Sequence, residues 1–128
     1  MILVDTSVWV RALRRGDSQE QRELSALLEA DEVATTDVVV AEVLQGASSE
    51  AEFEDFVRRS EALHYYHATE TTWRKAARLS YDLKRQGLTV ALSDVVIATV
   101  AVENDFEIYS MDTDFQRIPG VRLHQVRT

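Results

Sequence analysis

The chain has 128 residues, a formal net charge of −8, 45% apolar residues and no cysteine. That length fits one domain that buries a core without staples, and the composition excludes a disordered chain. The absence of cysteine excludes disulfides, thiolate catalysis and cysteine-ligated zinc, while the acidic balance argues against a nucleic-acid coat protein, which needs a basic face.

The elements are taken in chain order. Ile2–Val4 is a short apolar run closed by Asp5 and followed by Thr6-Ser7, which reads as a buried strand feeding a helix through Val8, Trp9, Ala12 and Leu13. Met1–Val10 has no basic leader and carries Asp5 inside its apolar run. Gly16 ends the first helix; Asp17-Ser18 caps the next, whose stripe is Leu24, Leu27 and Leu28. Val33–Thr35 is a weak strand. Asp37 is expected to cap a helix through Val38–Gln45, stopped at Gly46, and Ser48-Ser49 opens another with Phe53, Phe56 and Val57 on one face.

Leu63–His67 reads as a strand. Thr69 begins a long amphipathic helix carrying Trp73, Ala76, Ala77, Leu79 and Leu83, ended by Gly87. Ser93 is expected to cap a strongly apolar helix, Asp94–Glu103. Its longest apolar run, Val95–Val102, is interrupted by Thr99 and is too short to span a bilayer. Phe106–Tyr109 reads as a buried strand, Met111–Asp114 as a polar turn, Pro119-Gly120 as a second turn and Val121–Val126 as an edge strand.

Strands alternating with helices predict a single domain over residues 1–128, a three-layer α/β/α sandwich around a mainly parallel sheet. A soluble, cytoplasmic protein without membrane contact is expected. In such sheets ligands bind beyond the carboxyl ends of the strands, which directs attention to acids after strands and at helix starts.

Five acids have surroundings unlike an ordinary surface. Asp5 closes the first strand, where an unpaired carboxylate is costly unless it faces a cleft; it can equally cap the following helix. Glu42 lies beside Val38 and Val39 on its helix and needs a metal, a polar partner or a buried ion pair. Asp94 opens the most apolar helix, where the helix dipole favours an ionised carboxylate, and it can also be a plain first-turn acid. Asp112 and Asp114 alternate in the turn after Phe106–Tyr109. They can face one ion or serve as turn-forming residues, with Asp112 the stronger candidate for the chemistry.

Converging on one sheet edge, these acids would repel one another and hold protons unless a cation joined them. Hard oxygen donors without imidazole suit Mg²⁺ or Mn²⁺ rather than zinc. Such a site supports phosphodiester hydrolysis, leaving a 5′-phosphate and a 3′-hydroxyl. Thr6 and Ser110, beside these acids, can orient a water or simply cap.

The segments Ile2-Leu3-Val4-Asp5-Thr6-Ser7-Val8-Trp9, Val40-Ala41-Glu42-Val43-Leu44-Gln45-Gly46, Leu92-Ser93-Asp94-Val95-Val96-Ile97-Ala98 and Tyr109-Ser110-Met111-Asp112-Thr113-Asp114-Phe115 stand in this order across the chain. In that order and spacing the chain resembles PIN-domain ribonucleases, specifically VapC-type toxins of type II toxin–antitoxin pairs. The resemblance implies a PIN-like fold and a Mg²⁺- or Mn²⁺-dependent endoribonuclease. It carries the catalytic role onto Asp5, Glu42, Asp94 and Asp112, with Asp114 an additional metal ligand. It also implies a homodimer, a small VapB-type antitoxin that blocks the site, often with a basic side chain, and contact with DNA only through that antitoxin. Val95 and Ser110 depart from the family's usual Ala and Thr at those positions.

His64 and His67 face opposite sides of a strand and are expected to be structural. Trp9 and Trp73 are expected in core or dimer packing. The helices around Leu24–Leu28 and Phe53–Val57 pack on their own domain or form an antitoxin groove. The basic groups Arg11, Arg14 and Arg15; Arg58 and Arg59; Lys84 and Arg85; and Arg117, Arg122 and Arg127 read as solvated helix ends. Two rival readings are a phosphoacceptor receiver domain and a catalytically inactive PIN-like module that only binds a partner. The first wants an acidic pair after the first strand and a late lysine, but Asp5 stands alone and no Lys follows Lys84.

Overall fold

The structure, a computed structural model, describes residues 1–126. The elements run β1 (Ile2–Val4), α1 (Thr6–Arg14), α2 (Gln19–Glu29), β2 (Val33–Thr35), α3 (Asp37–Gln45), α4 (Glu50–Glu61), β3 (His64–Tyr65), α5 (Glu70–Arg85), α6 (Leu92–Glu103) and β4 (Glu107–Tyr109). A short 3-10 helix, Thr113–Arg117, follows. The strands form one parallel sheet in the order β3-β2-β1-β4. Ile2 is in register with Val33 and Glu107, and Thr35 with Tyr65.

Parallel neighbours need crossovers, and right-handed ones put α1–α4 on one face of this sheet and α5–α6 on the other. The α/β/α sandwich expected from the strand–helix alternation is therefore present. Its strands are very short. Leu3, Val4, Val33, Ala34 and Ile108 are nonetheless almost fully buried, because both faces are covered. Under the sheet runs α6, buried without a break from Val95 to Ala101, a helix apolar on every side because it is enclosed on every side. Trp9 of α1 closes the opposite layer, edge-on to Phe56 of α4 with ring centroids 5.3 Å apart.

Several boundaries differ from those predicted, for local reasons. Helix α6 starts at Leu92 with Ala91 as its cap, so Ser93 lies inside the first turn and caps nothing. Thr36 occupies the α3 cap position without a side-chain bond; Asp37 is the first helical residue, and its carboxylate instead accepts from the Ala68 N–H at 2.8 Å. Residues 121–126 do not form a strand. They touch β4 through one parallel bridge, Ile108 to Leu123, in which Ile108 N–H donates to the Arg122 carbonyl and His124 N–H to the Ile108 carbonyl. A continuous ladder stops there because the segment diverges after one pair. Ser18, Ser49 and Thr69 cap α2, α4 and α5 as their sequence positions suggest. Arg127, grouped above with Arg117 and Arg122, lies outside the described residues.

Candidate metal centre

All five singled-out acids sit around the carboxyl edge of the sheet, delivered by four different segments. Asp5 follows β1 and caps α1, accepting from the Ser7 N–H. Glu42 projects from α3, Asp94 from the first turn of α6, and Asp112 and Asp114 from the turn after β4. Parallel strands β1 and β4 are direct neighbours, so the segments leaving them emerge side by side. This juxtaposition follows from topology and is absent from any one motif.

Asp5 is 3% exposed. Its Oδ2 accepts from the Ser7 hydroxyl at 2.8 Å, the Ser7 N–H at 3.3 Å and the Ser110 hydroxyl at 2.8 Å. Ser7 in turn accepts from the Met111 N–H at 3.0 Å, and Ser110 from the Asp112 N–H at 2.9 Å. The start of α1 and the β4 turn are thus laced together through Asp5. Glu42 is half-buried, and its Oε1 accepts from the Thr6 hydroxyl at 2.7 Å. Its partner is therefore a hydroxyl, not an arginine. Thr6 and Ser110 hold carboxylates in place, which is a firmer role than generic capping.

Asp94, Asp112 and Asp114 form the tightest group: one carboxylate oxygen from each lies within 4.8 Å of the other two. Asp112 is exposed and uses an oxygen to accept from the Asp114 N–H at 2.9 Å, so it is both turn-former and member of the cluster. Asp114 is half-buried and forms an ion pair with Arg117 at 3.1 Å. The two readings of this turn, ion site and capping turn, are thus compatible in one geometry.

The electrostatics single out Asp94. Its pKa is pushed up from 3.8 to about 7, first by burial, then by the charges of Asp5, Asp112, Glu42 and Asp114, in that order. Every contribution is unfavourable to the ionised form, so the helix dipole alone does not offset the neighbours. A carboxylate raised this far by burial and by four neighbouring acids is what an acid site looks like before a cation balances it.

The donor chemistry fits a hard divalent cation. A Mg²⁺ ion about 2.1 Å from each oxygen holds ligand oxygens within about 4.2 Å of one another. The Asp94, Asp112 and Asp114 oxygens, within 4.8 Å of one another, come close to that spacing. Among the described residues no histidine belongs to this group. His64 of β3 is paired with Asp31 at 2.9 Å, and His67, beyond the end of that two-residue strand and not within a Leu63–His67 one, with Asp37 at 3.0 Å, two separate surface contacts.

Sequence reasoning passed over Ser7 and left Arg117 in a group of surface cations. Ser7 had a signal: the second helical residue after an Asp cap is where the capping bond lands. Arg117 had only a weak one, its i,i+3 spacing from Asp114, which pairs the two once the segment turns as a 3-10 helix.

A parallel four-stranded sheet in this order, flanked by six helices and carrying carboxylates at its carboxyl edge, defines a PIN-type nuclease fold. The family model for the PIN domain matches residues 2–121, and the chain belongs to that family. Within it the chain is a VapC-type ribonuclease: Ribonuclease VapC11 of Mycobacterium tuberculosis (strain ATCC 25618 / H37Rv) is 32% identical over 127 residues, covering 94% of this chain and 93% of the relative. The fold is shared with VapBC2 from Rickettsia felis, solved bound to a DNA fragment from their promoter (TM-score 0.80, 20% identity, 97% of this chain and 98% of that one). It is shared too with Mycobacterium tuberculosis VapC20, a sarcin-ricin loop cleaving toxin (TM-score 0.72, 20% identity, 98% of this chain and 100% of that one). At those identities the two structures speak for the fold. As a PIN nuclease the protein works with a metal, and the acidic cluster is where its residues can hold one.

Proposed function

We propose that this chain is the toxin of a toxin–antitoxin pair and hydrolyses RNA phosphodiester bonds with Mg²⁺ or Mn²⁺ held by Asp94, Asp112 and Asp114, Asp5 and Glu42 completing the acidic wall. The observation that carries this reading is the convergence of five carboxylates on one sheet edge, three with oxygens within 4.8 Å of one another. When bound, the ion would polarise a phosphate oxygen and make water a nucleophile at neutral pH. The chain's own contribution is positional. Ser7 and Ser110 fix Asp5, Thr6 fixes Glu42, and the dipole of α6 points at the acids, so little reorganises as charge develops.

The antitoxin half of the proposal rests on a second region. A cleft of about 340 Å³ between α2 and α4 is lined by Trp9, Leu28, Val33, Arg59, Ala62 and Leu63. Leu28 is 38% exposed. An amphipathic segment of a VapB-type antitoxin suits such a groove. VapBC2 from Rickettsia felis is bound to a DNA fragment from its promoter, and this chain would meet DNA only through its own antitoxin. A homodimer is part of the same proposal. Trp73 is 44% exposed, so it packs in no core, and a subunit interface would cover it. Trp73→Arg is expected to shift the equilibrium toward monomer in sedimentation; an unchanged dimer would place the interface elsewhere.

The decisive test is cleavage of a small-RNA pool by antitoxin-free protein in Mg²⁺, in Mn²⁺ and in EDTA, beside Asp5→Asn and Asp94→Asn. Discrete fragments that require metal and vanish in both variants are expected. A wild type inert in every metal that still binds its antitoxin tightly would leave a partner-binding module in place of the nuclease.

A further inference from the structure

The acidic centre contains a cation of its own. Arg117, at the end of the 3-10 helix, donates from Nη1 to Asp114 Oδ1 at 3.1 Å. The two side chains are 41% and 35% exposed, so the pair sits at the rim, within reach of an arriving strand. Asp114 is one of the three acids whose oxygens cluster within 4.8 Å. The guanidinium thus sits on the carboxylate of a member of that group and competes with a cation for its charge. A guanidinium also pairs with a phosphodiester oxygen through the same fork of donors. Asp114 and a substrate phosphate are therefore competitors for one side chain.

We propose that Arg117 is a substrate-responsive counter-ion. Without RNA it neutralises Asp114 and weakens the pull of that carboxylate on a cation. A phosphodiester entering the centre would draw the guanidinium onto its nonbridging oxygen and leave the full Asp114 charge available to a cation. Metal and substrate binding are then positively coupled through one arginine, and by linkage each tightens the other. The rim position favours such an exchange, since neither partner must leave a buried, fully desolvated pair. This inference rests on the nuclease reading above.

The test measures Mn²⁺ binding by electron paramagnetic resonance in wild type, Arg117→Gln and Arg117→Lys, with and without dimethyl phosphate as the minimal phosphodiester. Arg117→Gln frees Asp114, and Mn²⁺ is expected to bind about tenfold tighter in the absence of phosphate. The tightening that dimethyl phosphate produces in wild type is expected to shrink severalfold in Arg117→Gln and to be partly kept in Arg117→Lys. Cleavage by Arg117→Gln should fall through a higher KM despite the tighter metal. An Arg117 that merely braces the 3-10 helix would give the opposite pattern, with Mn²⁺ affinity unchanged or weaker in Arg117→Gln, and would overturn the proposal. Should wild type bind no Mn²⁺ and cleave no RNA, the nuclease reading fails as well. A wild type that binds and cleaves while Arg117→Gln matches it throughout defeats this inference alone.

Discussion

Asp94→Asn is expected to abolish cleavage and, in the absence of metal, to make the protein more stable. The two effects have one cause. Partial burial, then the charges of four carboxylates, raise the Asp94 pKa from 3.8 to about 7. Because the folded state favours the protonated acid, its stabilising effect is full below the ordinary carboxylate pKa and is lost as pH rises through about 7. Above that pH the folded chain carries an ionised group it disfavours. A rise of that size corresponds to about 4 kcal/mol at full strength. The carboxylate is only half-buried, and solvent screening reduces this to about 1–2 kcal/mol. Asparagine has the same shape and no charge. Urea unfolding in EDTA should find the variant equal to wild type near pH 4 and more stable by about 1–2 kcal/mol at pH 8. Mn²⁺ affinity of wild type should rise about tenfold per pH unit below 7, as one proton must leave, and flatten above. Cleavage should drop at least about 10³-fold. Equal stability of the two proteins at pH 8 would mean that Asp94 does not bear the repulsion assigned to it.

Fold class was legible because period and punctuation agreed. The Val95–Val102 run after the Ser93-Asp94 start reads as an enclosed helix and is buried from Val95 to Ala101, and Ile2–Val4 before Asp5-Thr6 reads as a buried strand running into one. The reach of the C-terminal segment was not legible. Val121–Val126 alternates well enough for a strand, yet a single bridge at Leu123 is all that forms, since pairing depends on where β4 ends rather than on the segment's own pattern. The acids were legible one at a time as carboxylates in the wrong company. Their convergence came from strand order, which places β1 beside β4 although more than a hundred residues separate Asp5 from Asp112. Least legible were the groups that hold them. Ser7, Thr6 and Ser110 look like ordinary capping hydroxyls in a sequence, and only coordinates show each donating to a carboxylate.

That support separates the two jobs of Asp5. All three of its side-chain hydrogen bonds converge on Oδ2, and among the described residues Oδ1 accepts none. One oxygen ties α1 to the β4 turn; the other is left for the charge chemistry of the centre. In Asp5→Asn the amide oxygen can take the place of Oδ2 and keep every bond. Stability should stay within about 1 kcal/mol of wild type while cleavage falls at least about 10³-fold. Asp5→Ala removes both oxygens. It strips the cap of α1 and leaves the Ser7 N–H and two hydroxyls without their acceptor at a position 3% exposed. The hydroxyls, 3.3 Å apart, recover part of the loss by pairing with each other. A cost of about 2–3 kcal/mol is expected, read as a lower urea midpoint at unchanged slope. The pair of variants therefore distinguishes roles that one substitution would merge. An Asp5→Asn protein that folds normally and still cleaves RNA at the wild-type rate would reduce Asp5 to a helix cap.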